Sequence, residues 1–119
     1  MYIAALDIGG TKTIVAILDE NGGILIQESF PSIVARYETH LELCVQAMKR
    51  LMHRTELQAE DFTGLGVSLP GIVDNEKGIL LYAPYANWEN VEAAGYLGTL
   101  ELPSTRSSLL TSLQYFPSL

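Results

Sequence analysis

Apolar positions follow two different periods along this chain, and each change of period marks an element. Two apolar runs, residues 2–6 and 14–18, flank the stretch Asp7-Ile8-Gly9-Gly10-Thr11-Lys12-Thr13. With a third run they predict three consecutive strands: Tyr2–Ile8, Lys12–Asp19 and residues 24–30. Val, Ile, Leu and Ala dominate the first two, as in strands buried on both faces of a sheet. The turn Glu20-Asn21-Gly22-Gly23 contains Asn-Gly, a strong hairpin signal, and Pro31 stops the third strand. An antiparallel three-stranded meander is therefore expected.

Over residues 35–54 the period lengthens. Tyr37, Leu41, Cys44 with Val45, Met48, Leu51 and Met52 recur at spacings of three and four, while Glu38, Glu42, Gln46, Lys49 and Arg50 occupy the other face. Acid early and base late complement the helix dipole. The pattern predicts one amphipathic helix laid over the sheet. His40 and His53 lie on it without a matching carboxylate pair, so they read as structural or solvated, and Cys44 as core. After a polar connection, residues 64–69 read as a fourth, buried strand, reached by a crossover that makes it parallel. Gly64 and Gly66 lack the third small residue and following helix of a dinucleotide fingerprint. Pro70-Gly71-Ile72-Val73-Asp74 then reads as a loop at the carboxyl end of that strand, where open α/β sheets bind ligands. A polar turn (75–78), a short strand (79–82) and the loop Ala83-Pro84-Tyr85-Ala86-Asn87-Trp88 follow, and residues 89–100 read as a weak helix containing Gly95 and Gly98.

Composition narrows the function classes. The chain has 119 residues, 48% hydrophobic and 18% charged, which suits one folded domain. Its net charge of −7 argues against a nucleic-acid or anionic-membrane partner, both of which need clustered Lys and Arg. A single cysteine excludes an internal disulfide framework. No apolar run approaches the roughly 18 residues of a membrane span, and the N-terminus lacks the positive start of a signal peptide, so a cytoplasmic protein is expected.

The glycine-bearing turn carries the chemistry. Glycines there permit positive φ or close approach to bare backbone, and successive N–H groups can form a nest for an anion. Thr11 and Thr13 add hydroxyls, Lys12 a positive charge, and Asp7 a carboxylate able to orient a hydrated metal ion. The turn is either a phosphate site or an ordinary Gly-Gly hairpin with polar neighbours. The loop before and including Trp88 mixes aromatic rings with the Asn87 amide, which suits a sugar or plain loop packing.

Three motifs in order resemble the N-terminal domain of the ROK family (repressors, open reading frames and sugar kinases), within the actin-like ATPase superfamily. Asp7 to Thr13 is similar to the family's first phosphate loop. Gly66-Val67-Ser68-Leu69-Pro70-Gly71-Ile72-Val73-Asp74 is similar to its Gly-x-x-x-Pro-Gly-x-Val-Asp segment near the sugar. Ala83-Pro84 through Trp88, with Glu89-Asn90-Val91, resembles the loop before the next helix. The resemblance implies an α/β, ribonuclease H-like half of an actin-like ATPase fold, built from the meander, the crossover helix and further parallel strands. It also implies ATP-dependent phosphorylation of a hexose or amino-hexose. Gly9, Gly10 and Thr11 would then donate to phosphate oxygens, Lys12 would lend charge, and Asp7 would help hold Mg²⁺. Pro70 and Gly71 would shape the sugar pocket and Asn87 would bond a sugar hydroxyl.

The chain also departs from the family. The catalytic base belongs to a Glu-Asn-Asp-Ala-Asn-like stretch after a Leu-x-x-Pro such as that ending at Pro103, where this chain has Ser104-Thr105-Arg106-Ser107-Ser108 and no Asp after Asp74. No catalytic residue is assigned, and the family's zinc motif is absent. Residues 1–103 are accordingly expected to be a truncated family domain, and residues 104–119, rich in Ser and Leu, a non-native continuation. The leading expectation is the N-terminal part of a sugar kinase, inactive alone. The alternatives are the effector-binding part of a sugar-responsive repressor, and a non-catalytic module whose exposed sheet edge makes it a homo-oligomer. The phosphate loop begins six residues after Met1, which favours the kinase.

Overall fold

The computed structural model describes residues 1–33, 35–68, 72–74, 79–83 and 88–91, together with Gly95 and Gly98. Three strands open it, β1 (Tyr2–Ile8), β2 (Lys12–Asp19) and β3 (Ile24–Pro31), followed by helix α1 (Tyr37–Thr55), a single 3-10 turn (Ala59–Asp61) and β4 (Phe62–Ser68). The sheet order is β3-β2-β1-β4. β1–β2 and β2–β3 are antiparallel and β1–β4 parallel, as the meander and crossover predicted. This is the α/β half expected from the sequence.

Strand alternation decides which face α1 covers. On β1, Ala4, Leu6 and Ile8 are buried while Asp7 is exposed; on β2, Thr13, Val15 and Ile17 are buried in phase with them. α1 sets Leu41, Cys44, Val45, Met48 and Leu51 against this face, and β4 adds Phe62, Leu65 and Val67. Burying each such aliphatic or aromatic side chain contributes about 1.5–3 kcal/mol, so this single layer dominates the stability of the described fold. The sheet's other face is only partly covered: Ile3, Ala5, Ile14 and Leu18 are half-buried. The expectation of β1 and β2 buried on both faces therefore holds fully on one face only.

α1 ends where Glu56 turns left-handed (φ 58), with Glu56 N–H donating to His53 O (3.2 Å) and Leu57 N–H to Met52 O (3.0 Å). This is a Schellman closure with Glu where Gly is usual. The exposed Arg50–Glu28 pair (3.0 Å) links α1 to edge strand β3 and is worth at most about 1 kcal/mol.

A second sheet follows, with β5 (Ile72–Asp74), β6 (Ile79–Ala83) and β7 (Trp88–Val91) in antiparallel order β5-β6-β7. It corrects two expectations. Ile72–Asp74 is a strand rather than a loop, pairing Asp74 with Ile79 and Ile72 with Tyr82. Glu89, expected to begin a helix, pairs with Tyr82 in β7, and Val91 with Leu80. Both segments gain a ladder of backbone hydrogen bonds from β6 across four-residue connections, which claims residues 89–91 for the sheet, while Gly95, further along the expected helix, is helical. The remainder of the expected helix, apart from Gly95 and Gly98, and all of residues 104–119 lie outside the described residues.

Candidate functional site: the Gly9–Lys12 turn

The turn joining β1 to β2 is closed by Gly9 N–H donating to Lys12 O at 3.0 Å. A Cβ on Gly9 would lie 2.8 Å from that same oxygen, closer than side chains tolerate, so close approach is what requires glycine at this position. Positive φ is not the reason. Among the described glycines only Gly22 adopts it, at 86° in the β2–β3 turn.

Three carbonyls of the turn are occupied by donors of the protein itself. Lys12 O takes the Gly9 N–H, Thr11 O takes the Ser32 N–H at 2.8 Å, and Gly9 O takes the Ser32 hydroxyl at 2.6 Å. Their negative ends are thereby withdrawn from solvent. The N–H groups of Gly10 and Thr11 find no acceptor among the described residues. Thr11 and Lys12 are exposed and Gly10 half-exposed, so these two donors sit at an accessible tip beside a cationic side chain. That combination favours an anion.

Two sequence expectations change here. Gly9 N–H is consumed by the turn and is not a free donor. Thr13, whose hydroxyl was read as part of the site, is buried: its Oγ1 lies 2.8 Å from both Ser32 Oγ and His40 Nε2. Thr13 supports the turn from beneath. Ser32 and His40 are residues that sequence reasoning did not attach to the turn. His40 is fully buried, 5.8 Å from the Phe30 ring centroid, and burial lowers its pKa below the usual histidine value. The reading of His40 as structural stands.

Asp7 lies on the sheet face opposite α1, exposed, with Ile14 and Ser68 as its strand partners. Its carboxylate has no hydrogen bond or ion pair among the described residues. Asp7 and Ser68 both stand near the carboxyl ends of parallel strands β1 and β4, the edge at which open α/β sheets hold ligands. Among the described residues no group of three or more His, Cys, Asp or Glu could form a metal cage. A lone carboxylate fits Mg²⁺ in its usual mode, where water and substrate phosphates supply most ligands. Pro70, Gly71 and Asn87 lie outside the described residues.

The family model of the ROK family matches residues 3–100. The chain belongs to the ROK family. Among solved structures, this ROK chain is similar to a ROK family glucokinase from Streptomyces griseus in complex with glucose and AMPPNP. The TM-score is 0.75 at 20% identity, covering 94% of this chain and 33% of that one. A ROK hexokinase from Thermus thermophilus gives a TM-score of 0.75 at 19% identity, over 94% of this chain and 35% of that one. A ROK family transcriptional regulator, a homologue of the E. coli MLC protein, gives 0.76 at 18% identity, over 93% and 27%. At these identities the likeness is one of fold: the ROK chain has part of the actin-like ATPase architecture and spans about a third of the length of the kinases. No curated protein matches it. Among the described residues no helix is long and apolar enough to cross a membrane.

Proposed function

We propose that this chain is the N-terminal part of an ATP-dependent sugar kinase of ROK type and that its Gly9–Lys12 turn receives the nucleotide phosphates. The observation that carries the reading is the polarity of the turn. Its carbonyls at Gly9, Thr11 and Lys12 are occupied from within, while the N–H groups of the accessible Gly10 and Thr11 have no acceptor among the described residues. Gly9 makes the closed turn sterically possible, Gly10 and Thr11 donate to phosphate oxygens, and Lys12 adds charge. Asp7, at the neighbouring strand end, would help hold Mg²⁺ through water. ATP with Mg²⁺ would supply the γ-phosphoryl group, and transfer of that group depends chiefly on positioning and charge stabilisation.

Pro70, Gly71 and Asn87 are assigned to the sugar. Ile72 and Trp88, which directly follow Gly71 and Asn87, begin β5 and β7 at the same end of the small sheet, opposite Tyr82 and Ala83. The general base is not assigned to this chain, so its share of the activity is holding the two substrates.

Titration calorimetry of the full chain with MgATP tests the reading. Binding heat is expected for the unmodified chain. Gly10→Val, which crowds the outward N–H pair, should weaken binding about tenfold or more, the loss of one charge-assisted hydrogen bond. Absence of heat from the unmodified chain would reduce the turn to a structural hairpin. The likeness to the transcriptional regulator supports a second reading, sugar sensing. It would show as sugar binding with no response to MgATP.

A further inference from the structure

The hydrogen bonds beneath the turn have only one consistent direction. Ser32 Oγ lies 2.6 Å from Gly9 O, and a carbonyl can only accept, so the Ser32 hydroxyl proton is committed there. Ser32 Oγ must then accept from Thr13 Oγ1, 2.8 Å away, which commits the Thr13 proton. Thr13 Oγ1 in turn accepts from His40 Nε2 at 2.8 Å. Reasoning from the other end agrees. The backbone N–H of Ile33 donates to His40 Nδ1 at 3.2 Å, so Nδ1 carries no proton and Nε2 does. Both ends demand the same tautomer of a neutral imidazole.

We infer that His40 is a positioning residue for the phosphate turn: its neutral, Nε2-protonated ring directs Thr13 and Ser32 so that the Gly9 carbonyl is held inward and the Gly10 and Thr11 N–H groups stay outward. The role rests on the phosphate-loop reading for its purpose and on the hydrogen-bond chain alone for its existence. A second proton on the ring would fall on Nδ1, opposite the Ile33 N–H, and the two donors would repel. Ser32 anchors the turn twice, by its hydroxyl to Gly9 O and by its N–H to Thr11 O, so displacing the 32–33 segment moves both carbonyls at once.

The charged and titratable groups on the packed elements do not replace this proton logic. Glu28 of β3 is held by Arg50 at 3.0 Å, and Lys12 of β2 is exposed. Arg36 at the N-cap of α1, with Tyr37 and Cys44 on the helix, stand one turn to either side of His40 in the chain. Burial is the cause that lowers the His40 pKa, and it favours the neutral ring the chain of bonds requires.

The test is an amide NMR titration of the full chain from slightly alkaline to mildly acidic pH, without nucleotide, reading the His40 ring and the Gly9, Gly10 and Thr11 amides together. The turn amides should shift with the midpoint of the His40 ring. Thr13→Val, which keeps the shape but removes the hydroxyl link, should leave His40 titrating while the Gly10 amide, on the same peptide as Gly9 O, loses most of its response. Ser32→Ala, which removes the hydroxyl bond to Gly9 O and keeps the N–H bond to Thr11 O, should do the same and serves if the Thr13 variant fails to fold. Turn amides indifferent to the His40 midpoint in the unmodified chain, or a Gly10 response undiminished by both substitutions, would overturn the inference. Adding MgATP separates the two proposals. Coupling without nucleotide binding would sink the phosphate reading and leave the positioning role, whereas binding without coupling would do the reverse.

Discussion

Replacing Thr13 by Val offers the sharpest energetic check on the buried chain of hydrogen bonds. The substitution exchanges Oγ1 for a methyl group of like size in a site with no solvent exposure, so packing is nearly conserved. What changes is polar. The His40 Nε2–H loses its acceptor at 2.8 Å while remaining fully buried, at a cost of about 1–3 kcal/mol. Ser32 loses an incoming bond but keeps its own donation to Gly9 O and is only partly buried, so it adds a fraction of that. The sum is about 1–4 kcal/mol, a large share of the roughly 5–15 kcal/mol that holds a domain folded. His40→Leu alone should cost about 1–3 kcal/mol, because the Ile33 N–H loses its acceptor. In the double variant, Thr13→Val with His40→Leu, neither of the two facing side chains is left polar, so the cost should fall short of the sum by about 1–2 kcal/mol. Urea unfolding followed by far-UV circular dichroism at neutral pH measures all four corners of this cycle. A Thr13→Val effect below about 0.5 kcal/mol, the range of inconsequential surface changes, would refute the argument. So would additivity within about 0.5 kcal/mol.

Stability should also depend on pH through His40. Its folded pKa is lowered by burial, so as pH falls below about 6.5 the unfolded chain takes up a proton that the folded one refuses. Stability is therefore complete above that pH and declines below it, and His40→Gln should flatten this part of the urea-midpoint profile. An equal slope in both proteins would exclude the assignment. Gly9→Ala should cost about 1–3 kcal/mol by driving a Cβ to within 2.8 Å of Lys12 O, visible as a lower urea midpoint and shifted Lys12 and Thr13 amides. Gly22→Ala, with open space around it but φ of 86°, should cost about 1–2 kcal/mol through backbone strain alone and leave those amides in place. Cys44 is fully buried and its thiol is pushed up to about 12, so a thiol reagent should label it only when the chain unfolds. Rapid labelling of the native protein would contradict the packing of α1.

The large elements were legible because their apolar periods run long enough to be unambiguous. The spacing of Leu41, Cys44, Met48 and Leu51 leaves one face for α1, and the runs around Leu6, Val15 and Leu65 leave room only for buried strands. β5 and β7 escaped because three and four residues are too few to show alternation, and their strand character comes from pairing with β6. At the site, the glycines of the turn were visible, but the direction of its N–H and carbonyl groups is a product of Ser32 packing onto it. Thr13 shows how close the signal came. It stands in phase with Val15 and Ile17 on β2, just as His40 adjoins the apolar stripe of α1. A polar residue on each of two facing apolar surfaces suggests a buried pair, yet only the docking of helix on sheet determines that these two meet.

The parallel pairing of β1 with β4 has a consequence for how the chain comes off the ribosome. β1, β2 and β3 pair through short turns and can form as soon as they emerge, whereas the Thr63 hydroxyl bond to Tyr2 O closes a separation of 61 residues. Until β4 arrives, β1 is a free edge, and until α1 docks, the Ala4, Leu6, Val15 and Ile17 surface has no cover. Long-range closure of this kind is slow beside hairpin formation, and an uncovered strand edge is where nascent chains associate wrongly. Synthesis of residues 1–68 therefore passes through a vulnerable interval that ends once residues 37–68 have cleared the exit tunnel.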